Sequence, residues 1–347
     1  MIIFAPFKYM NDLPLLKVML ASPKRVVIVT HFKPDADALG SSLGLANFLV
    51  KKGHFVSVIS PSDYPDFLAW MPGKEMVLAL SKDNKQSEKQ AAILVGQADL
   101  IFCLDFSSLK RIHDVGPMVA QAAGTKVMVD HHLEPEDFAQ FKKWDVRAAS
   151  TAQLIFELID DLGEQNAIDA TIATCLYAGL MTDTGGFRHN NTTHKEFIVA
   201  AALVSKGANP SLVAKHIYDT NSLERLRLTG YALSEKLVVL REFNTAYMTL
   251  TQSELKKFGS QTGDTEGLVN YGLSIKGIKL AVLMYDRGEE IKLSFRSLSD
   301  FNVNELARKH FEGGGHKNAS GGQSKLSLEQ TLQKFLSILP TYKNQLY

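Results

Sequence analysis

Aspartate and histidine residues occur in four short segments whose composition suits divalent metal ions. In chain order the segments hold His31, Asp35 and Asp37; Asp105; Asp130, His131 and His132; and Asp183. Mixed carboxylate and imidazole ligands favour manganese and similar first-row ions. About six such ligands are enough for two ions, and a shared carboxylate would hold them about 3.5–4 Å apart, a spacing suited to attack on a phosphoester.

Each segment taken alone has a second interpretation. The acids at Asp35 and Asp37 could cap a helix in solvent, and Asp105 could be only a helix cap. Asp183 follows an apolar helical run, where the helix dipole disfavours a carboxylate unless a cation lies near. Two adjacent histidines behind Asp130 are harder to explain by packing alone.

The elements that must position these segments alternate between strands and helices. Four apolar runs predict buried parallel strands: Val26–Thr30, Phe55–Ser60, Leu100–Asp105 and Lys126–Asp130. The intervening helix-like segments, such as Ser41–Lys52, predict an α/β fold with a doubly wound, mostly parallel sheet. Three metal-binding segments then follow three strands and meet at one edge of the sheet.

Local geometry can be predicted around the first segment. If the chain stays extended after Pro34, Asp35 and Asp37 point to the same side. Gly40 and Ser41 would then open the next helix and offer backbone amides to a phosphate. After Ser150 the pattern becomes helical, with segments Ser150–Leu162, Ala167–Met181, His194–Ser205, Ser211–Thr220 and Leu223–Glu235.

The C-terminal part predicts a smaller mixed α/β domain. Its strands are expected at Lys236–Leu240, Thr245–Leu250, Lys279–Tyr285 and Glu290–Phe295, with a final helix at Leu328–Leu339. We predict a first domain at residues 1–218, a helical linker at 219–235 and a second domain at 236–347, with the active-site cleft between the domains. The polar segment 83–90 is predicted as a solvated loop or helix end.

A glycine-rich segment near the C-terminus is a second candidate for ligand binding. Gly314 and Gly315 let backbone amides approach an anion, and His316 adds a donor. Arg296, at the end of a predicted strand, could face the same ligand. The alternatives are a flexible hinge for the glycines and a plain surface charge for Arg296.

Composition excludes several classes of protein. The chain has 347 residues, of which 45% are hydrophobic and 22% charged, so a normal core is expected. A net charge of +1 argues against binding along a long nucleic acid duplex, but leaves room for a local basic pocket. Cys103 and Cys175 are expected as buried thiols. No run approaches the ~20 apolar residues of a membrane span, and the first residues do not form a convincing signal peptide, so the cytoplasm is the expected location.

These motifs resemble the DHH phosphoesterases with their associated C-terminal domain, in the short NrnA-type form of oligoribonucleases and pAp phosphatases. The resemblance covers about residues 25–325, through HxxPDxDAxGS, a strand-end Asp, DHH, DTGxFR and GGGHxxASG. It implies two divalent ions, manganese above all, with His31 and Asp35 on one ion, Asp37, His131 and Asp183 on the other, and Asp105 bridging both. It also implies catalytic roles for His132, as a phosphate contact or proton donor, and for Asp130, which would orient a ligand imidazole. Substrate contacts are implied for Arg188, Arg296, Gly314, Gly315, His316 and Ser320.

The resemblance implies hydrolysis of short single-stranded RNA to mononucleotides, and of pAp to AMP. An alternative is a phosphodiesterase for cyclic or linear dinucleotides such as cyclic di-AMP or pApA. A manganese-dependent pyrophosphatase fits less well because that family lacks the GGGH segment. A catalytically silent nucleotide-binding protein would have lost a metal ligand, and none of the six is missing. A homodimer is a further expectation, because helices near the domain junction could form its interface.

Overall fold

The computed structural model describes residues 13–81 and 84–347, and the chain divides into two compact units. The first ends at Thr220 and the second comprises Asn221–Tyr347. Each unit has its own sheet and its own hydrophobic cores. Within the described residues no single helix is long and apolar enough to cross a membrane. The helices His194–Ser205 and Pro210–Tyr218 together have the length and composition of a membrane span, but they are bent by 107° relative to each other.

The first unit contains a six-stranded, fully parallel sheet. Its strands are β1 (Arg25–Val29), β2 (Phe55–Ser60), β3 (Val77–Ala79), β4 (Leu100–Leu104), β5 (Thr125–Asp130) and β6 (Phe141–Trp144). They are arranged in the order β3-β2-β1-β4-β5-β6. The predicted parallel sheet is therefore confirmed. Two edge strands were missed: β3 is only three residues long, and β6, with four residues, carries two lysines.

Helices cover both faces of this sheet. They are α1 (Leu13–Met19), α2 (Ala36–Lys51), α3 (Lys85–Gln97), α4 (Val115–Gln121), α5 (Thr151–Asp161), α6 (Ala170–Asp183), α7 (His194–Ser205) and α8 (Pro210–Tyr218). Alternate strand residues enter different cores: Ile28 packs with α2, α5 and α6, whereas Val27 packs with α3 and α4. The two-sided burial explains why these strands lack a polar face. The polar segment 83–90 is the N-terminal end of α3, which agrees with the helix-end alternative of the prediction; residue 83 lies outside the described residues.

The start of α2 differs from the prediction. Asp35 is the N-cap, and its carboxylate accepts hydrogen bonds from the amides of Asp37 and Ala38 at 3.0 and 3.1 Å. Asp37 is thus helical, and the expected extended segment with both acids on one side is wrong. Gly40 and Ser41 lie inside the helix, so they do not open it towards a phosphate. A Cβ on Gly40 would lie 2.5 Å from the Cys175 carbonyl oxygen, so this glycine permits close packing of α2 on α6.

The second unit contains a mixed sheet, as the sequence predicts. Its strands are β7 (Val238–Leu240), β8 (Thr245–Leu250), β9 (Leu280–Asp286), β10 (Ile291–Ser297), β11 (Gly314–Gly315) and β12 (Ala319–Ser324). Its helices are α9 (Leu223–Tyr231), α10 (Gln252–Lys257), α11 (Asn270–Leu273), α12 (Val303–His310) and α13 (Leu328–Leu346). The order is β11-β12-β10-β9-β8-β7, and only β8 and β9 are parallel.

The glycine-rich segment is a hairpin of this second sheet rather than a loop. Gly314 pairs with Gly321, and Gly315 pairs with Ser320. Glycine lacks a side chain to pack, which is why the segment reads as a loop in the sequence. Its backbone nevertheless completes the sheet edge.

Candidate metal centre

The switch point of the parallel sheet lies between β1 and β4. The chain leaves β1 for α2 on one face and leaves β4 for α4 on the other. Such divergence opens a crevice at the carboxyl ends of the two strands, where ligands bind in open α/β sheets. His31 and Asp105 flank this crevice, and His131 follows the neighbouring strand β5.

Asp105 occupies the middle of the cluster. Its Oδ2 lies 3.5 Å from His31 Nε2, and its Oδ1 lies 3.4 Å from His131 Nε2. The backbone at Asp105 is left-handed, with φ of 66°, which turns the carboxylate away from the strand direction. The two oxygens of one buried carboxylate therefore face two different imidazoles.

Two sets made up of predicted metal ligands share Asp105, and a third group of possible ligand atoms joins Asp105 with Asp130 and His132. The first set is His31, Asp35 and Asp105, and the second is Asp37, Asp105 and His131; in each set the ligand atoms lie within 4.8 Å of one another. Asp183 adjoins the second set, because its Oδ2 lies 3.3 Å from His131 Nε2. The structure thus brings together all six residues that the sequence suggests as metal ligands.

The imidazoles are oriented for coordination. His31 Nδ1 lies 2.9 Å from the Phe32 carbonyl oxygen, and His131 Nδ1 lies 3.1 Å from that of Ala148. Each carbonyl can only accept, so Nδ1 carries a proton, and Nε2 is the ring atom that faces the carboxylates. This arrangement of a backbone acceptor behind the ring is common among metal-binding histidines.

The N-terminus of α5 supports two of the acids, which the sequence analysis missed. Asp37 accepts hydrogen bonds from the amides of Thr151 at 2.6 Å and Ala152 at 2.9 Å. The Thr151 hydroxyl donates to Asp105 Oδ1 at 2.8 Å. The only sequence signal is the capping Ser150 that starts the helix, since helix N-termini attract anions.

The carboxylates are crowded, and those of Asp37 and Asp105 are buried, whereas the Asp183 side chain is 24% exposed and that of Asp35 is 50% exposed. Burial, followed by the charges of Asp105 and Asp183, raises the pKa of Asp37 well above its ordinary value. Burial also raises the pKa of Asp183 to about 6. Burial acts in the same direction on Asp105, but hydrogen bonds with His131 and His31 outweigh it and hold the pKa of Asp105 well below its ordinary value.

The pKa of His131 is also shifted by its neighbours. Burial lowers its pKa, but hydrogen bonds to Asp105 and Asp183 reverse the effect and raise the pKa well above the ordinary value. Carboxylates at this spacing repel one another unless protons or cations lie among them. The donor types, the orientation of the rings and this repulsion all fit divalent metal binding.

His132 lies beside the ligand sets, with Nδ1 3.7 Å from Asp105 Oδ1, and is held by Asp130. Its Nδ1 lies 2.8 Å from Asp130 Oδ1. Asp130 therefore orients His132, whereas the resemblance implied that it would orient a metal-ligand imidazole. Burial and then the positive charge of Arg111 hold the pKa of His132 well below its ordinary value, and burial raises the pKa of Asp130 to about 6.

The predicted substrate contacts lie in both units. In the first unit, Arg188 follows α6 and its Nε donates to the Gly185 carbonyl at 2.8 Å. In the second unit, Arg296 lies in β10, and its Nη1 donates to the Phe295 carbonyl at 3.0 Å.

The backbone amides of the hairpin are already engaged. The Gly315 amide donates to Asn304 Oδ1 at 3.0 Å and the His316 amide to the Ala319 carbonyl at 2.8 Å. The Gly315 amide is thus already engaged in this structure, and the expected anion contact of the glycine backbone stays a prediction. The Ser320 hydroxyl donates to the His316 carbonyl at 2.9 Å. Substrate roles for Gly314, Gly315, Ser320 and the His316 ring stay predictions.

Both units match known protein families. Residues 25–180 match the DHH family, N-terminal domain, and residues 244–343 match the DHHA1 domain. The bifunctional oligoribonuclease and PAP phosphatase NrnA of Thermus thermophilus is 32% identical over 92% of this chain and 90% of its own. NrnA of Bacillus subtilis is 29% identical over 85% of this chain and 88% of its own.

Three further proteins are similar to this chain. A crystal structure of an exopolyphosphatase-related protein from Bacteroides fragilis matches with a TM-score of 0.91 and 39% identity, covering 98% of this chain and 99% of that one. The cyclic-di-AMP phosphodiesterase GdpP of Bacillus subtilis is 25% identical over 94% of this chain but only 49% of its own. RecJ of Thermus thermophilus, at 13% identity and a TM-score of 0.51 over 98% of this chain and 56% of that one, shares the fold.

Proposed function

Since this chain belongs to the DHH family, we propose that it is a metal-dependent phosphoesterase that hydrolyses short oligoribonucleotides to mononucleotides and pAp to AMP. The observation that carries the proposal is the position of Asp105, whose two oxygens face His31 and His131 at 3.5 and 3.4 Å. The relatives named as oligoribonuclease and PAP phosphatase support the substrate class, because the alignments span at least 88% of their length.

We propose that the two ligand sets hold two divalent ions, with manganese the preferred metal. His31, Asp35 and Asp105 would bind one ion, and Asp37, Asp105, His131 and Asp183 the other. When bound, such ions supply a hydroxide near neutral pH and neutralise charge on the phosphate. A near-neutral chain fits short substrates, which need a pocket rather than a long basic surface.

The chain's own residues would position the phosphate. A neutral His132, held at Nδ1 by Asp130, presents Nε2 as a hydrogen-bond acceptor, so donation of a proton from His132 requires its prior protonation. Arg188 is a candidate phosphate contact in the first unit. In the second unit, Arg296, Gly314, Gly315, His316 and Ser320 are proposed to contact the nucleotide.

Replacement of Asp105 tests the proposal. We expect Asp105→Ala to abolish manganese-dependent hydrolysis of a 5′-phosphorylated dinucleotide, because one change removes a ligand from both sets. The assay is chromatography of the products, with circular dichroism to check the fold. Asp114→Ala, which removes an exposed acid after the same strand, is the matched control and should retain activity. Retained turnover in Asp105→Ala would refute the bridging role.

A substrate panel separates the alternatives. The panel is pAp, dinucleotides to pentanucleotides, cyclic di-AMP and pyrophosphate, each with manganese or magnesium. Preferred cleavage of cyclic di-AMP or pApA would favour the dinucleotide phosphodiesterase activity, for which the similarity to GdpP is the supporting observation. Turnover of pyrophosphate alone would overturn the proposed substrate class.

A further inference from the structure

Arg111 is tied to the metal centre through the backbone. It lies in the short 3-10 turn Leu109–Ile112 that follows β4. Its carbonyl accepts a hydrogen bond from the Phe32 amide at 2.9 Å. The Phe32 carbonyl in turn lies 2.9 Å from His31 Nδ1. Two consecutive hydrogen bonds therefore fix the position of Arg111 relative to a proposed metal ligand.

The Arg111 side chain has no protein partner that accounts for its place. The residue is half-buried, and within residues 13–81 and 84–347 its guanidinium forms no hydrogen bond or ion pair. Its positive charge acts to lower the pKa of His132, His31 and Asp130, in each case behind the larger effect of burial. The geometric link to the centre is the backbone hydrogen bond between Phe32 and Arg111. A half-buried cation at such a centre needs an anion, and the planar guanidinium matches phosphate oxygens in pairs.

An aromatic pair lies next to this cation. The rings of Phe32 and His113 are 4.1 Å apart between centroids and inclined by 30°. His113 is exposed, and Lys33 Nζ lies 5.7 Å from the centroid of the Phe32 ring. Rings and cations combined in this way bind single-stranded nucleic acids, because every base can stack.

The backbone beside the rings is held in a rare conformation. Lys33 and His113 both have positive φ, of 54° and 46°, and ψ at His113 is −122°. Non-glycine residues in this region are uncommon and concentrate at functional sites. The conformation sets the directions of both side chains at the rim of the centre.

We propose that Arg111 and the Phe32–His113 ring pair form a nucleotide subsite at the rim of the metal centre, in which the guanidinium binds a substrate phosphate and the exposed His113 ring stacks on a base. The subsite would take the nucleotide next to the scissile phosphate. This inference rests on the proposed function and specifies which residues recognise the oligonucleotide.

The test measures binding rather than turnover. Dissociation constants are determined by calorimetry with calcium as the divalent ion. The two ligands are pApA and its analogue that lacks the base next to the scissile phosphate. Chromatography checks that no product forms. Arg111→Ala should weaken binding of both ligands about 10-fold or more, and Arg111→Lys should restore only part of it. His113→Asn, which removes the ring but keeps a polar residue that tolerates positive φ, should weaken binding of pApA about 10-fold but of the base-free analogue less than about 2-fold.

Lys110→Ala is the matched control, because it removes an exposed cation from the same turn. It should bind both ligands like the wild type. A manganese titration monitored by electron paramagnetic resonance should give the same metal affinity in all four variants. Together these results would support a subsite that is separate from the metal ligands.

Three results would overturn the subsite. They are wild-type affinity in Arg111→Ala, equal losses for both ligands in His113→Asn, and a parallel loss of manganese affinity in Arg111→Ala, which would mean that the residue only supports the fold. Failure of the wild type to hydrolyse any phosphoester would refute the proposed function, while the calorimetric comparison would still decide the subsite. Turnover by the wild type with unchanged binding in the variants would refute the subsite alone.

Discussion

Single residues in this protein are placed by a few short hydrogen bonds around buried charge. Asp105 leaves the strand in a left-handed conformation, and the Thr151 hydroxyl fixes one of its oxygens at 2.8 Å. A non-glycine residue in this region costs about 1–3 kcal/mol unless its surroundings hold it there. The strain is consistent with a carboxylate that must face two ligand sets at once.

Glu254 shows the same principle outside the metal centre. Its carboxylate accepts hydrogen bonds from Lys236 at 2.7 Å, the Tyr231 hydroxyl at 2.5 Å and the Thr251 amide at 2.8 Å. Burial would raise its pKa, but these bonds outweigh burial and lower the pKa from 4.5 to about 2. The resulting stability is complete above pH 4.5 and is lost as the pH falls towards 2.

We therefore expect Glu254→Gln to reduce the free energy of unfolding of the second unit at neutral pH by up to about 3 kcal/mol. The variant should also lose less stability than the wild type between pH 4.5 and 2. Urea unfolding at several pH values measures both effects. Glu242→Gln, an exposed change in the same unit, is the control. Parallel pH profiles for Glu254→Gln and the wild type would contradict the prediction.

At the scale of elements, the contact between α2, α5 and α6 sets the position of Asp37. The N-terminus of α5 donates two amides to its carboxylate, and α6 passes directly behind it. A Cβ on Gly179 would lie 2.6 Å from Asp37 Oδ1 and 2.7 Å from the Ala152 Cβ. No side chain fits there, so α6 must carry a glycine.

Gly179→Ala should lower the free energy of unfolding by about 1–3 kcal/mol, because the added methyl overpacks a close helix contact. It should also weaken manganese binding, since the methyl displaces a proposed ligand. Gly96→Ala in α3, where a Cβ meets nothing within 4 Å, is the control and should stabilise the protein by about 0.5–1 kcal/mol. Thermal unfolding and manganese titration measure the two effects; wild-type metal affinity in Gly179→Ala would contradict the expectation.

At the scale of the molecule, all proposed metal ligands belong to the first unit. Metal binding should therefore stabilise that unit against unfolding. A ligand at 100 times its dissociation constant adds about 2.7 kcal/mol. Calorimetric melting with manganese, compared with melting in a chelator, should show an upward shift in the transition of the first unit.

The matched experiment uses Asp105→Ala, which removes the ligand shared by both sets. This variant should show little or no shift with manganese. A shift equal to that of the wild type would mean that the ion binds elsewhere. The transition of the second unit serves as an internal reference, because it contains none of the proposed ligands.

Much of this architecture could be predicted from local sequence signals. Apolar runs such as Val26–Thr30 predict buried strands, and acids or histidines directly after them predict a site at the sheet edge. Edge strands such as β6 were missed because only its first residue is buried. The hairpin at Gly314–Gly315 was missed because glycine leaves no pattern of buried side chains.

The sequence by itself determined the ligand types, their order and the parallel strands that bring them together. Only the tertiary structure decided how the ligands are held. Asp37 accepts a hydrogen bond from an amide 114 residues away, and the Phe32 amide donates a hydrogen bond to the Arg111 carbonyl. Periodicity and capping rules describe neighbours along the chain, whereas these contacts exist only once α2, α5 and the strand ends have packed together.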